Sequence, residues 1–155
     1  MRAITLIVST FLFLVNPAFA ADQWLGKWVL NTSKSSYSPG PMPRSVDLQY
    51  EAIPEGVRVT NVTIAFDGAT IKRTTSLKFD GREYPYEGNV NADVVTGKRL
   101  GDYSFETQWI KAGKPTLKQT MTVSADGKTL TVRQTGTDAQ GRIFDVRGIY
   151  DRARE

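Results

Sequence analysis

The feature that most constrains this chain is a regular succession of short strand-like runs separated by turn residues. Asp-Gly stands between apolar alternations three times, at Asp67-Gly68, Asp80-Gly81 and Asp126-Gly127. Glycine supplies the positive φ that tight hairpins need. Val, Ile, Thr, Tyr, Phe and Trp dominate the runs, as half-buried strands favour. We predict strands at residues 24–31, 45–52, 57–66, 69–79, 82–87, 94–100, 102–110, 116–124, 128–136 and 142–151.

Connections of hairpin length join nearly all of these runs, so consecutive strands should be antiparallel neighbours. The count is ten, or eight if the short middle pair is irregular. A meander of this length closes or packs on itself, which removes exposed edges. No stretch has a convincing helical period. The sequence therefore predicts an all-β fold, a single antiparallel up-and-down β-barrel or β-clam of 8–10 strands.

The first twenty residues have the pattern of a secretory signal peptide. Arg2 is followed by an apolar run from Ile4 to Val15 and by the small-residue pattern Ala18-Phe19-Ala20. The run is shorter than the roughly 20 residues of a membrane-spanning helix, which disfavours a retained anchor. We expect residues 1–20 to be removed after Ala20, leaving one domain at 21–155 in the periplasm or medium. No later segment is apolar enough for a membrane span.

The chain contains no cysteine and no histidine. This excludes Ser-His-Asp and Cys-His nucleophile systems, the usual zinc ligand sets and thiolate or histidine haem ligation. Acidic residues fall mostly in turns or on outward strand positions, without an inward carboxylate pair for acid–base catalysis. We therefore predict no catalytic residue, metal or cofactor. A net charge of +4 without a basic cluster longer than two residues disfavours nucleic acid as a partner.

Period-two alternation places several polar side chains on the inward face. An unpaired charge in a dry core is very costly, so an inward Arg73 implies water, a carboxylate partner or a ligand anion. The alternative is a bulge that turns Arg73 towards solvent. The predicted ligand-binding polar residues are Arg73, Arg99, Gln119 and Gln134. Apolar walls, or ordinary core packing, would come from Tyr50, Phe66, Tyr103, Phe105, Trp109 and Met121.

The run at 57–66 changes phase along its length. Val57 and Val59 share one face, whereas Val62 and Ile64 occupy the other. A bulge inserts one residue and switches the faces of all that follow. We therefore predict a bulge near Asn61.

The longest connection runs from Thr32 to Arg44 and carries Pro39, Pro41 and Pro43. Prolines at alternate positions favour extended polyproline geometry and prevent ladder pairing. We expect this segment to cross one end of the barrel. It would be either a lid or rim over a pocket, or an ordered crossover that plugs the core.

Gly26-Lys27-Trp28, at the start of the first run, resembles the first signature of lipocalin and calycin barrels. In that family the Trp packs at the closed end of the barrel, near an Arg at the end of the last strand. The resemblance implies that Arg152, or as second choice Arg147, stacks on Trp28 as a structural contact. A broader likeness to exported bacterial lipocalin-like proteins of uncharacterised function covers Leu30-Asn31, Lys34-Ser35, Pro39-Gly40-Pro41, Tyr50-Glu51 and 136–141.

The family pattern is incomplete here. Gly101-Asp102-Tyr103 is only faintly similar to the second lipocalin motif, and no C-terminal helix follows. The strand count is nearer the fatty-acid-binding branch, whose two-helix lid is replaced by the proline segment. The resemblance implies fold and compartment, and it carries no activity.

Three hypotheses follow, because fold alone does not fix function. The first is a binding protein for a small apolar or amphipathic, possibly anionic, ligand. The second is a filled barrel that binds an envelope protein, for example as an inhibitor. The third and least favoured is an enzyme that uses Tyr or Arg.

Overall fold

The computed structural model describes residues 22–154, so the expected signal peptide at 1–20 lies outside the described residues. No helix among residues 22–154 has the length and hydrophobicity needed to cross a bilayer. Apart from a 3₁₀ turn at Thr32–Lys34, the described elements are strands. They are β1 Gly26–Leu30, β2 Ser36–Ser38, β3 Ser45–Ile53, β4 Gly56–Ile64, β5 Thr70–Lys78, β6 Tyr84–Glu87, β7 Val94–Gly101, β8 Ser104–Lys111, β9 Lys114–Val123, β10 Thr129–Thr137 and β11 Ile143–Arg152.

Ten of these strands form a closed antiparallel barrel. Strands β3 to β11 pair in chain order, and β1 pairs with both β3 and β11. Trp28 stands opposite Leu48 on one side and opposite Arg152 on the other. The predicted all-β barrel is confirmed, and each of the ten predicted runs corresponds to one strand of the barrel.

Strand β2 lies inside the segment that was predicted to be a connection. It pairs with the first half of β11, with Tyr37 opposite Val146, while β1 pairs with the last residues of β11. Strands β1 and β2 therefore lie along the same edge of β11, one after the other. The prolines follow immediately, which explains why this ladder ends at Ser38.

The hairpin turns are stabilised by the aspartates that the sequence analysis identified. In each case a carboxylate oxygen accepts the backbone N–H two residues further on, as in an Asx turn. The N···O distances are 2.9 Å for Asp67, 3.0 Å for Asp80 and 3.1 Å for Asp126. Asp138 makes the same contact with Gln140 at 3.0 Å, although its turn lacks the Asp-Gly pair.

Successive turns alternate between the two ends of the barrel. We call the end formed by the chain start at 22–25 and the turns at 54–55, 79–83, 102–103 and 124–128 the closed end. The open end consists of the proline segment at 39–44 and the turns at 65–69, 88–93, 112–113 and 138–142.

Aromatic side chains fill the closed end. Trp24 and Phe105 are fully buried, with ring centroids 5.2 Å apart and an edge-to-face arrangement. Phe79 lies 5.3 Å and Tyr50 5.8 Å from Phe105 in similar geometry. Trp28 is also fully buried, and its indole N–H donates to the carbonyl oxygen of Trp24 at 2.9 Å. The chain start thus supplies part of the core that seals this end.

The predicted bulge near Asn61 is wrong. Strand β4 pairs without interruption with β3, from Ser45 opposite Ile64 to Ile53 opposite Gly56, and equally regularly with β5. Val59 and Asn61 both line the barrel interior, so the alternation that starts at Val57 continues unbroken. The apolar residues at 62 and 64 face outwards, where β-branched side chains still favour strand structure.

Candidate functional site

A cavity of about 330 Å³ occupies the open half of the barrel. This volume lies at the lower limit of pockets that hold small molecules, about 300 Å³. Below it, towards the closed end, a separate space measures only about 20 Å³. The barrel is therefore hollow at one end and packed at the other. The cavity walls include Tyr37, Val46, Leu48, Tyr50, Val59, Tyr86, Trp109, Leu117, Val132, Phe144, Val146 and Tyr150.

Arg73 projects into this cavity from the middle of β5, opposite Asn61 on β4. Its Nη1 lies 3.4 Å from Asn61 Oδ1 and 3.5 Å from Thr63 Oγ1, which are long hydrogen bonds. Its Nε is buried without a hydrogen-bond partner. Within residues 22–154, no carboxylate forms an ion pair with this guanidinium. The cavity therefore contains a cation whose hydrogen-bonding capacity the protein leaves largely unused.

Asn89 supplies a second unused donor. Its Oδ1 accepts the backbone N–H of Asn91 at 3.0 Å, which fixes the side chain at the start of the turn between β6 and β7. Its Nδ2 is buried and makes no hydrogen bond of full geometry, although it lies close enough to the Tyr86 hydroxyl to lower the pKa of that group. Buried polar groups are normally paired, so two unpaired donors lining one cavity require an explanation.

Two glutamines on adjacent strands form a pair in the cavity wall. Gln134 Nε2 donates to Gln119 Oε1 at 2.7 Å, and these residues stand opposite one another in the β9–β10 ladder. The second amide nitrogen of the pair, Gln119 Nε2, lies 3.1 Å from the sulfur of Met121. The contact is weak, because a thioether sulfur accepts hydrogen bonds poorly.

Four tyrosines stand around the cavity. Burial raises the pKa of Tyr86 to about 12, against the opposing effects of the Arg73 charge and of Asn89. Burial also raises the pKa values of Tyr37, Tyr50 and Tyr150. All four are therefore neutral at pH 7. Of the described residues that line the cavity, Arg73 alone carries a charge.

Six of the ten residues predicted to contact a ligand line this cavity. They are Arg73, Gln119, Gln134, Tyr50, Phe66 and Trp109. Phe105 and Met121 face inwards as predicted, but they lie below the cavity, fully buried in the packing of the closed half. For these two residues period-two alternation assigns the face correctly, but it gives no information on depth along the barrel.

Arg99 and Tyr103 lie away from the cavity. Arg99 stands opposite Phe105, yet at the closed end its guanidinium lies over Trp24, with 4.9 Å from Cζ to the ring centroid. It forms ion pairs with Asp22 and with Asp102, the latter at 3.1 Å. Tyr103 precedes β8 and is 45% exposed, because the register shifts between Arg99 and Gly101.

The predicted contact between Arg152 and Trp28 is present. Arg152 Cζ lies 4.1 Å from the centroid of the Trp28 ring. The guanidinium also donates to the carbonyl oxygens of Gly127 at 2.6 Å, Leu25 at 2.8 Å and Gln23 at 2.6 Å. Arg152 therefore connects the chain start, a closed-end turn and the last strand. Arg147, the second choice, is exposed on the outer face of β11.

Several residues of the cavity were not predicted from the sequence. Asn61 and Thr63 were assigned to the wrong face through the postulated bulge, although unbroken alternation from Val57 would have placed them correctly. Phe144 and Tyr150 share the alternating inward set of β11. Asn89 lies in a turn, where no periodicity applies, so no sequence signal could have placed its side chain.

The proline segment borders the cavity mouth. Pro39, Pro41 and Pro43 all line the opening, and Pro43 is buried. The segment therefore forms a rim, the first of the two alternatives that the sequence left open. No cluster of three or more metal-ligating side chains occurs within residues 22–154.

Comparison with known proteins gives similarity at the level of structure. The sequence matches no protein-family model, and no curated protein is significantly similar to it. The zebrafish ileal bile acid-binding protein complexed with cholic acid superposes with a TM-score of 0.50 at 14% identity, covering 84% of this chain and 99% of its own. The siderocalin Ex-FABP gives a TM-score of 0.41 at 14% identity over 86% of this chain and 76% of its own. The bile acid-binding protein shows that this chain has a barrel of the lipocalin and fatty-acid-binding type.

Proposed function

We propose that this protein is an exported, non-enzymatic binder of a small amphipathic ligand with an anionic head group. The observation that carries the proposal is the unpaired guanidinium of Arg73 inside a cavity of about 330 Å³. The Arg73 side chain is half-buried, and its Nε is a buried donor without an acceptor, which costs free energy. A ligand anion at this position would remove the cost and would use both Arg73 Nε and Asn89 Nδ2.

The rest of the cavity is suited to an apolar or aromatic body. Tyr86 and Trp109 meet edge to face, with ring centroids 5.2 Å apart. They also line the small space below, so they form the floor of the cavity, while Phe144 and the prolines of the rim add apolar surface nearer the mouth. Sites for small molecules typically have a small number of convergent polar groups among apolar walls.

The same electrostatics support binding rather than acid–base catalysis. A general acid or base needs a pKa near the working pH. The tyrosines of the cavity have pKa values above their ordinary range, and its one charged group is an arginine. The bile acid-binding protein of zebrafish holds cholic acid, an amphipathic carboxylic acid, in a barrel of this type. We propose a ligand of similar character here, with its identity open.

The test uses the fluorescent probe 8-anilinonaphthalene-1-sulfonate, an amphipathic aromatic anion, and the variant Arg73→Met. We expect the variant to bind the probe at least about tenfold more weakly, because charge-assisted hydrogen bonds contribute about 1.5–3 kcal/mol each. The matched control is Arg58→Met, which removes an exposed arginine from the outer face of β4. It should leave the dissociation constant unchanged.

A neutral probe separates loss of charge from loss of shape. N-phenyl-1-naphthylamine lacks the sulfonate, so its affinity should fall much less in Arg73→Met than that of the anionic probe. Thermal unfolding of the variant should show no loss of stability, because the substitution removes an unpaired charge. Equal binding of the anionic probe by Arg73→Met and by the unmodified protein would remove Arg73 from the site.

Export is proposed from residues 1–20 alone. Expression of the full gene, followed by intact mass measurement of the protein recovered outside the cytoplasm, tests it. A mass equal to that of residues 21–155 supports the proposal. A cytoplasmic protein that retains residues 1–20 contradicts it. A native mass spectrum of the same protein would reveal any ligand carried from the cell.

A further inference from the structure

Two glutamines form a polar patch in an otherwise apolar part of the cavity wall. Gln119 on β9 and Gln134 on β10 are part-buried, stand opposite one another in the ladder and line the cavity. Leu117 and Val132 line the cavity beside them on the same two strands, and the residue opposite Gln134 on β11 is Val146. Packing among these apolar neighbours does not require an amide at either position. We call Gln119 and Gln134 the amide pair.

The amide pair leaves one donor group and one acceptor group unused. Gln134 Nε2 donates to Gln119 Oε1 at 2.7 Å, which engages one NH₂ group and one carbonyl group. The other NH₂ group, that of Gln119, has only the weakly accepting sulfur of Met121 at 3.1 Å. The other carbonyl oxygen, Gln134 Oε1, makes no hydrogen bond to any residue within 22–154. Rotating both amides by half a turn exchanges these roles and again leaves one donor and one acceptor free.

The amide pair lies across the barrel from Arg73, where the proposed function places the ligand anion. In the closed ring of ten strands, β10 is five strands from β5 in either direction. On the Arg73 side, the unused groups Arg73 Nε and Asn89 Nδ2 are both donors, which suits an anion. The amide pair is neutral and offers a donor together with an acceptor. This combination suits an uncharged group that both accepts and donates, and a hydroxyl is the smallest such group.

We infer that the ligand of this cavity is a hydroxylated acid, with its anionic group on Arg73 and a hydroxyl group, well separated from the anion, on the amide pair. The inference rests on the proposed function, because it adds a second contact to a ligand whose anion Arg73 binds. Gln119 and Gln134 are then specificity-determining residues. A ligand that lacks the hydroxyl leaves their free groups unpaired, so the site rejects it relative to the hydroxylated ligand.

The first test compares three acids of equal chain length by their displacement of 8-anilinonaphthalene-1-sulfonate from the whole protein. Decanoic acid has no hydroxyl, 10-hydroxydecanoic acid has one at the far end of the chain, and 3-hydroxydecanoic acid has one beside the carboxylate. We expect the 10-hydroxy acid to bind at least about threefold more tightly than decanoic acid. The 3-hydroxy acid should gain less than about twofold, because its hydroxyl stays near Arg73.

The second test uses the variant Gln119→Leu/Gln134→Leu, which removes both amides together so that neither is left without the other. The Kd of 10-hydroxydecanoic acid divided by that of decanoic acid should rise at least about tenfold in this variant, because the hydroxyl then enters the cavity without a partner. The matched control is Gln49→Leu, on the outer face of β3. It should change this ratio by less than about twofold.

Equal or tighter binding of decanoic acid by the unmodified protein would overturn the inference, and this result needs no variant. So would an equal gain from the 3-hydroxy group, or the same ratio of Kd values in the unmodified protein and the Leu variant. Arg73→Met separates the two proposals, since it should weaken the binding of both acids and leave their ratio unchanged. Full affinity of Arg73→Met for both acids would refute the proposed function, whereas loss of affinity in Arg73→Met without any hydroxyl preference would refute only the role of the amide pair.

Discussion

The two halves of the barrel treat arginine in opposite ways. At the closed end, Arg152 donates to three backbone carbonyls and stacks on Trp28, and Arg99 is held by two aspartates. In the open half, Arg73 has two long contacts and an unpaired Nε. Where the protein satisfies a guanidinium, the residue stabilises the fold. Where it leaves one unsatisfied, the residue is available to a ligand.

The halves also differ in what fills them. At the closed end the chain start packs Trp24 against both Phe79 and Phe105, with centroid distances of 6.1 and 5.2 Å. At the open end the corresponding covering segment consists of prolines, which lie along the rim and leave the interior empty. Inward alternation is the same in both halves, so the space in the barrel depends on the segments that cross its ends.

The largest expected effect comes from emptying the packed half. Phe105→Ala should lower the free energy of unfolding by about 3–5 kcal/mol, as measured by urea denaturation, because it leaves a cavity among buried aromatic rings. Phe66→Ala at the open end is the matched control and should cost less than about 1 kcal/mol, since that ring is 64% exposed. Similar losses from both substitutions would show that the two ends are equally packed.

A smaller effect is expected from breaking the arginine contacts of the closed end. Arg152→Met should cost about 2–3 kcal/mol, because three carbonyl groups lose a charged donor and Trp28 loses its cation–π contact. Urea denaturation measures this loss. Arg147→Met, on the outer face of the same strand, should change stability by less than about 0.5 kcal/mol. A cost for Arg147→Met that matches Arg152→Met would refute the structural role assigned to Arg152.

The smallest expected effect is that of pH on the cavity. The affinity for the anionic probe should vary by less than about twofold between about pH 5 and pH 9, because arginine stays protonated and the sulfonate stays ionised. The cavity tyrosines remain neutral, since burial holds their pKa values above the usual range. Fluorescence titration at each pH measures this. A midpoint near neutrality would reveal a titrating group in the site.

Arg73→Lys is the control for this experiment. Burial lowers the pKa of a lysine, so the affinity of this variant should fall at the alkaline limit.

The stability of the folded protein should also depend on pH, in the alkaline range. Above about pH 10 the tyrosines of the unfolded chain ionise, whereas Tyr86 keeps its proton up to about pH 12, so the folded state loses stability as the pH rises.

Much of the fold was predictable because its signals are local. Asp67 and Asp126 mark turns by their own chemistry, and alternation in β9 places Leu117 and Gln119 on one face irrespective of distant strands. The Trp28–Arg152 contact followed from a family resemblance. These features need no knowledge of how the strands are staggered.

The candidate site was less predictable because depth and register are properties of the whole barrel. Arg99 and Arg73 both face inwards by alternation, yet one lies at the sealed end and the other beside the cavity. The irregularity between Arg99 and Gly101 also moves Tyr103 out of phase. Asn89 lies in a turn, and Tyr37 lies in a strand of only three residues. Both segments are too short for a periodic signal.

The pairing of the first barrel strand with the last governs how this chain reaches its native state. Trp28 meets Arg152 from the other end of the described chain, so the cylinder cannot close until the final strand has emerged from the ribosome. Contacts so distant in sequence also slow folding, because the entropy of closing the loop is lost before the contacts form. A nascent chain that cannot fold early stays unfolded, and an unfolded chain can be exported in the way proposed here.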